Sequence, residues 1–426
     1  MKILVIGSGA REHAILWKLA QSSAKPILFC APGNAGTGQM AKNIQIKTGD
    51  LPGILSFVKS ERIDLTVIGP EQPLMDGIVD LFEKNGLKVF GPRKNAAEIE
   101  GSKVFAKQFM QKYSIPSAAF RSFDIGEEEQ AIRYIDALEP PIVLKADGLA
   151  AGKGVAICET KGQALQALNA MMKKRIFGEA GARIVIEEYL EGFETSIFAL
   201  TDGINFVTLV PSQDHKRILD GDKGKNTGGM GVYAPVASVS FDLLEHIKRH
   251  IIRPTLEGMA KEGRTYKGCL YAGLMITKDG PKVIEFNCRF GDPETEVVLP
   301  LLEDDLTELM MDVANGTLSK SEVRIKQQSA VSVIIASRGY PDAYETGKKI
   351  LGLESLTGLY NVMVFHAGTK FESGSVLTNG GRVLAVTALG PKNDLQETIE
   401  KAYTAVKKIT FDGAYYRSDI GKKGLR

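Results

Sequence analysis

Short apolar runs separated by amphipathic stretches dominate the first hundred residues. The runs at 2–6 (KILVI), 26–30 (PILFC), 65–68 (LTVI) and 87–90 (LKVF) each end in a turn rich in glycine or proline. Between the first two, Ile15, Leu16 and Leu19 recur on one helical face. Strands apolar on both faces, closed by glycine turns and alternating with helices, predict β-α-β units in a buried parallel sheet. Ligands of such sheets bind beyond the carboxyl ends of the strands, which here are the segments 7–11, 31–36, 69–74 and 91–93.

The texture changes near residue 101. A helix is predicted from Lys103 to Tyr113, strands at 141–145, 155–158 and 183–187, an amphipathic helix around 162–174, and hairpin strands at 194–210 and 270–286 with a helix at 241–262 between them. A last segment from about 328 carries strands at 330–336, 361–366 and 382–389, then Leu395, Ile399, Ala402 and Val406 at helical spacing. This divides the chain into an N-terminal α/β domain (1–100), a central region (101–327) and a C-terminal α+β domain (328–426).

Composition narrows the function more than the fold. The 426 residues, 44% hydrophobic and 24% charged, fit an ordinary globular protein of two to four domains and exclude a disordered chain. A net charge of +2 lacks the basic excess of a non-specific nucleic-acid binder. The four cysteines (Cys30, Cys158, Cys269, Cys288) are scattered without a C-x-x-C pair, and the opening MKILVIGSGAREH is too short in apolar residues for a secretory leader. No stretch approaches the apolar length of a membrane span. The expectation is a cytoplasmic protein with reduced thiols and no membrane or nucleic-acid partner. The 45 glycines are in excess and fall in clusters, which suits loops that approach a ligand.

The motifs carry the chemistry. The opening G-S-G-A-R-E is not a dinucleotide fingerprint, because Glu12 stands at the third glycine position and the second strand ends in Phe29-Cys30-Ala31 without a ribose-binding acid. Its Gly7 and Gly9 amides remain available to an anion at a helix N-terminus, or form a plain turn. In KADGLAAGKG (145–154), a lysine closes a strand before a glycine loop containing Lys153; such a loop folds over a triphosphate, or is a solvated hairpin. The run 184–190 ends in Glu187-Glu188-Tyr189-Leu190, where a strand edge can receive adenine, with Glu194 near for ribose. In Glu285-Phe286-Asn287-Cys288-Arg289, strand alternation puts Glu285, Asn287 and Arg289 on one face and Phe286 and Cys288 in the core. A carboxylate and an amide oxygen are a hard donor pair suited to Mg²⁺, which keeps waters and leans on phosphates. His215, beside Asp214 and Lys216, is open to two readings, a base or a loop hydrogen-bonder. No histidine–cysteine spacing supports zinc, and no G-x-S-x-G elbow is present.

In order, VIGSGAREHA, GPEQPLMDGIVD, GPRKNAAEIEGSK, LKADGLAAGKGV, VIEEYLEGFE, PSQDHKRILDGDKGKNTGGMG, YAGLMIT, VIEFNCRFGDPETE, SRGYP and GGRVLAVTALG span the chain to near residue 390. Together they resemble the ATP-grasp ligases, and among those the phosphoribosylamine–glycine ligase family of purine biosynthesis. The resemblance implies a central ATP-grasp of two α+β lobes, the smaller about 120–190. It implies ligation of glycine to 5-phosphoribosylamine by ATP through a glycyl phosphate, with Mg²⁺ (or Mn²⁺) as cofactor, in a monomer or weak homodimer. Lys103 and Lys145 would hold ATP phosphates under a lid at 148–154 that includes Gly152, Lys153 and Gly154. Residues Glu187, Glu188, Tyr189 and Leu190 would take adenine, and Glu194 the ribose. Glu285 and Asn287 would be metal ligands. Arg289 would stabilise the phosphoryl group, with Asp214, Lys216 and Asp292 around glycine and the reacting phosphate. Phosphoribosylamine would lie against Gly9, Glu71, Pro73, Leu74 and the C-terminal segment, with Lys348 and Arg382 at its 5-phosphate. The loops 148–154 and 220–231 would close over the acyl phosphate to exclude water. Three rivals stay open: an ATP-grasp enzyme using formate or bicarbonate, a nucleotide-dependent oxidoreductase, and a non-catalytic nucleotide-binding regulator.

Overall fold

A computed structural model describes residues 1–148 and 154–425. The apolar runs of the first hundred residues form a five-stranded parallel sheet in the order Lys42–Asn43, Ile27–Pro32, Lys2–Gly7, Leu65–Ile68, Val89–Phe90. The first strand sits in the middle and its successors leave on opposite sides, so the ends of Lys2–Gly7, Ile27–Pro32 and Leu65–Ile68 open a crevice. The helix Ala10–Leu19 starts there and packs against the helix Thr295–Leu301 of the central region.

The central region holds two antiparallel sheets. The smaller lobe has Phe120–Asp124, Arg183–Glu188, Ile142–Ala146 and Val155–Cys158, in that spatial order. Its core (Phe123, Ile135, Leu144, Ile184, Ile186) is separate from the rest. The larger lobe orders Phe206–Thr208, Phe193–Thr201, Gly268–Thr277 and Gly280–Asn287. Its apolar face joins that of the N-terminal sheet, in one core running from Leu4 and Ile6 through Phe82 and Phe109 to Leu274 and Phe286.

The last sheet is composite. Strands Gln328–Ala336, Arg382–Pro391 and Val362–His366 are joined by Gly231–Ala234 and Gln213–Asp214 from the central region. The helix Leu395–Val406 covers it, burying Ile399, Ala402 and Val406 as the spacing predicted. The segment expected as one helix at 241–262 is Phe241–Ile247, a π-helical turn Lys248–Ile252, and Arg253–Lys261, with Pro254 in its first turn. No helix among the described residues is long and apolar enough to cross a membrane.

Candidate active site

Two cavities lie around the strand ends. One, about 1070 Å³, opens between the lobes of the central region; the other, about 910 Å³, lies between the N-terminal sheet and the C-terminal domain.

The interlobe cavity is built from charges that hold one another. Ser102 caps the helix Lys103–Lys112, its Oγ accepting from Phe105 N (3.1 Å) and donating to Asp147 Oδ1 (3.0 Å). That fixes Lys103, whose Nζ donates to the Gly148 carbonyl (2.9 Å). One helical turn on, Lys107 Nζ lies 3.0 Å from Glu187 Oε2, and Lys145 Nζ lies 3.0 Å from Glu187 Oε1. Lys145 also donates to the Ile284 carbonyl (3.1 Å), tying small lobe to large. Burial pushes Lys107 down to about 8, against the pull of Glu187, and likewise lowers Lys103.

Opposite stands the strand Gly280–Asn287. Phe286 and Cys288 are buried and Glu285 and Asn287 face the cavity, as alternation predicted. Burial works against the Glu285 charge, but Lys216, Lys145 and Lys103 outweigh it and hold its carboxyl below the ordinary range. With its amide nitrogen turned to Glu100 Oε1 (3.2 Å) and the Phe286 carbonyl (3.1 Å), Asn287 keeps its side-chain oxygen free of both. An ionised carboxylate beside an amide oxygen fits magnesium. No cluster of three or more His, Cys, Asp or Glu ligands exists among the described residues, so the cation would rely on phosphate oxygens and water.

Arg289 is held rather than free: Nε lies 3.2 Å from Glu71 Oε2 and Nη2 2.8 Å from Glu100 Oε1. Glu71, expected at phosphoribosylamine, therefore positions the arginine expected at the phosphoryl group. Glu194, expected at ribose, pairs with Lys216 (3.1 Å), which also approaches Glu285 (3.7 Å). Asp214 is buried, and desolvation together with the carboxylates of Glu294, Glu194 and Glu285 pushes it up to about 8 despite Lys216. Glu294 accepts from Ser196 Oγ and Tyr271 Oη, both at 3.0 Å. His215 is buried and pushed down to about 3 by desolvation; its Nε2 accepts from the Gly421 N–H (3.4 Å) and its Nδ1 lies 3.3 Å from the Gly231 carbonyl, so it is not a base facing the cavity.

The adenine edge needs correcting. Arg183–Glu188 is an interior strand: Glu187 pairs with Phe120 and Val143, and the Glu188 N–H donates to Ala119. The Glu187 side chain serves the two lysines. Tyr189 and Leu190 lie past the ladder and line the cavity; among the described residues none hydrogen-bonds to their backbone. Gly152 and Lys153 lie outside the described residues, while Gly154 lines the cavity.

The second cavity is walled by Ser8, Gly9, Gly33 and Asn34 on one side and by Gly368, Thr369 and Lys370 on the other. Buried Asn34 organises it: Nδ2 donates to the carbonyls of Ser8 (2.8 Å) and His366 (2.7 Å), and Oδ1 accepts from Gly36 (2.8 Å) and Thr37 (2.9 Å). The Gly9 amide is not open to an anion, because it donates to Glu12 Oε2 (2.6 Å). Glu12 thus fills the place of the missing third glycine with a carboxylate. Asp292 and Arg382 (2.9 Å apart) line both cavities. Pro73 and Leu74 are buried in the helix Glu71–Asp76 and line neither, and Lys348 is paired with Glu345 and Asp412 away from both.

The described family Phosphoribosylglycinamide synthetase matches the chain in three parts: its N domain over 1–100, its ATP-grasp (A) domain over 101–295 and its C domain over 330–423. The chain belongs to this family. It is similar to the phosphoribosylamine–glycine ligase of Caldanaerobacter subterraneus subsp. tengcongensis, at 47% identity over 99% of both chains. It is also similar to the crystal structure of the phosphoribosylamine–glycine ligase of Thermotoga maritima (TM-score 0.85, 36% identity, 98% of this chain and 100% of that one). The biotin carboxylase domain of Hydrogenobacter thermophilus 2-oxoglutarate carboxylase shares the fold alone (TM-score 0.74, 15% identity, 97% and 91% covered).

Several site residues of this synthetase chain escaped the motifs. Lys107 was signalled only by its place four residues after Lys103 on one helix. Glu100 and Glu294 sit inside quoted runs and Asn34 in the strand-end segment 31–36, but partners of each come from distant segments. The 220–231 loop is also tied down. Tyr415 Oη donates to the Ile218 carbonyl (2.8 Å), Arg417 to that of Arg217 (2.9 Å), and the Gly221 and Ser418 amides to Asp419 (2.8 Å) and Asp220 (2.9 Å). Closure there would break these bonds, so the hairpin 217–226 is a wall of the cavity rather than a free lid.

Proposed function

We propose that this chain ligates glycine to 5-phosphoribosylamine, converting ATP to ADP and phosphate and yielding glycinamide ribonucleotide for purine biosynthesis. The observation that carries the reading is the charge layout of the interlobe cavity, where Lys103, Lys145 and Arg289 surround an ionised Glu285 beside Asn287. Phosphoryl transfer needs positioning and charge neutralisation, not an enzyme nucleophile.

ATP lies with adenine against the free backbone of Tyr189 and Leu190 and its phosphates on Lys103 and Lys145. Glu285 and Asn287 would hold magnesium (or manganese), which would supply charge neutralisation at the phosphates. The glycine ammonium sits among Asp214, Glu294 and Glu194, and Lys216 holds its carboxylate toward the γ-phosphorus. Arg289, steadied by Glu71 and Glu100, stabilises the glycyl phosphate. The amine of phosphoribosylamine, bound in the second cavity, which Lys370 and Arg382 line, then displaces phosphate.

The test is ADP formation with phosphoribosylamine generated in the reaction. Turnover requiring both glycine and the amine is the expected result. Turnover with formate or bicarbonate in place of glycine would overturn the substrate while sparing the ATP-grasp chemistry.

A further inference from the structure

Resting on that reading, we propose that Asp292, held by Arg382, takes the proton released by the amine when it attacks the glycyl phosphate where the two cavities meet. Among the described residues, only these two line both cavities. An activated glycine in one and an amine in the other must therefore meet beside them.

Arg382 is anchored at the junction. Its Nη1 donates to the carbonyls of Gly228 (2.6 Å), Gly229 (3.4 Å) and Asp292 (3.0 Å), and its Nη2 lies 2.9 Å from Asp292 Oδ1. A guanidinium gripping three carbonyls and one carboxylate oxygen fixes that carboxylate in orientation. The other oxygen, Oδ2, receives no hydrogen bond among the described residues. It lies beside Gly9, where a methyl group on that glycine would sit 3.5 Å away.

The other nearby acids are committed or stand away from the junction. Glu294 accepts from Ser196 and Tyr271 at Oε1 and lines the interlobe cavity but not the second one. Glu71 and Glu100 hold Arg289, and Glu285 faces the phosphate side. Glu296 is fully buried, neither of its oxygens is hydrogen-bonded, and it lines neither cavity.

The chemistry needs such an acceptor. The amine nitrogen forms a bond to the glycyl carbonyl carbon and becomes cationic in the tetrahedral adduct. As the C–O bond to phosphorus breaks, phosphate leaves with the electron pair. The nitrogen loses one proton to Asp292 Oδ2, from which it passes to the departing phosphate or to water. Atoms and charge balance without another reactant. A carboxylate in this position contributes about 10²–10⁴-fold to the step.

Hydroxylamine separates this step from the one before it. It is small and weakly basic, and it traps glycyl phosphate as glycine hydroxamate without an enzymic base. The full chain with ATP, magnesium, glycine and either phosphoribosylamine or hydroxylamine is compared for wild type, Asp292→Asn and Asp292→Glu. The ratio of amide to hydroxamate is independent of how much of a variant folds. Asp292→Asn is expected to lower that ratio by about 10²–10⁴-fold, with Asp292→Glu restoring part of it. An unchanged ratio, or equal loss of both products, overturns the assignment. Wild type that forms the amide but no hydroxamate instead overturns the glycyl phosphate on which the assignment rests.

Discussion

The two cavities are similar in size and opposite in construction. The interlobe cavity is a lattice of ionised groups, Lys107–Glu187–Lys145 on one lobe and Lys216–Glu285 and Arg289–Glu100 on the other. The second is lined by glycines, amides and hydroxyls, with Asn34 bridging backbone groups of two domains. A site handling a polyanion gains from fixed charges already oriented before binding. A site for a phosphorylated sugar gains from backbone and amide groups that read its hydroxyls, with charge confined to Asp292, Lys370 and Arg382. The pairings within the first cavity also show how its charges survive burial: Lys107, Glu187, Lys145, Lys216, Glu285, Arg289 and Glu100 each have an opposite neighbour within about 4 Å, the condition for a buried ion to persist.

Breaking the lattice should be the more damaging change. Lys107→Met leaves Glu187 with one lysine in a dry setting and is expected to lower the unfolding free energy by about 3–5 kcal/mol, read by denaturant titration. If the loss is below 1 kcal/mol, Glu187 does not depend on Lys107. Glu285→Gln keeps the shape and removes the charge, so turnover at saturating magnesium should fall about 10²–10³-fold while the protein unfolds as wild type does. Full activity in this variant would end the metal assignment.

The polar cavity should respond more mildly. Asn34→Ala removes four hydrogen bonds at once and is expected to cost about 1–3 kcal/mol, raising KM for phosphoribosylamine more than KM for ATP. Equal changes in both constants would mean that the cavity does not take the amine. A further effect concerns pH. Asp214 keeps its proton in the fold up to about 8, against 3.8 as its ordinary value. Folding therefore binds a proton between those limits, and this contribution is fully present below 3.8 and lost as pH rises toward 8. The stability of wild type relative to Asp214→Asn should fall with rising pH by up to about 1.4 kcal/mol per unit between those limits. A difference that stays flat from pH 4 to 8 would place an ionised aspartate in the fold.

Legibility in the sequence followed the range of the interaction. Lys145, Glu285 and Asn287 were visible because strand alternation and strand termination are local, and the structure puts all three on the cavity wall. The missing third glycine was visible as well, although the Glu12 carboxylate on the Gly9 amide was not. Glu194 and Glu71 were matched to ligands, whereas the fold matches them to Lys216 and Arg289, partners 22 and 218 residues away. Lys348 was placed at the 5-phosphate on the resemblance, but a position in sequence does not say which face of a domain meets the crevice.

By itself the sequence determined the alternation of short apolar strands with helices, hence the parallel N-terminal sheet, and the spacing that groups Glu285, Asn287 and Arg289. Period and turn chemistry are properties of neighbouring residues, so they need no knowledge of the rest of the chain. Only the tertiary structure decided that Gln213–Asp214 and Gly231–Ala234 join the C-terminal sheet and that Arg382 grips Asp292 between two cavities. Those pairings are long-range. They are chosen by which surfaces bury together, and a carboxylate's partner is whichever cation that burial brings within reach.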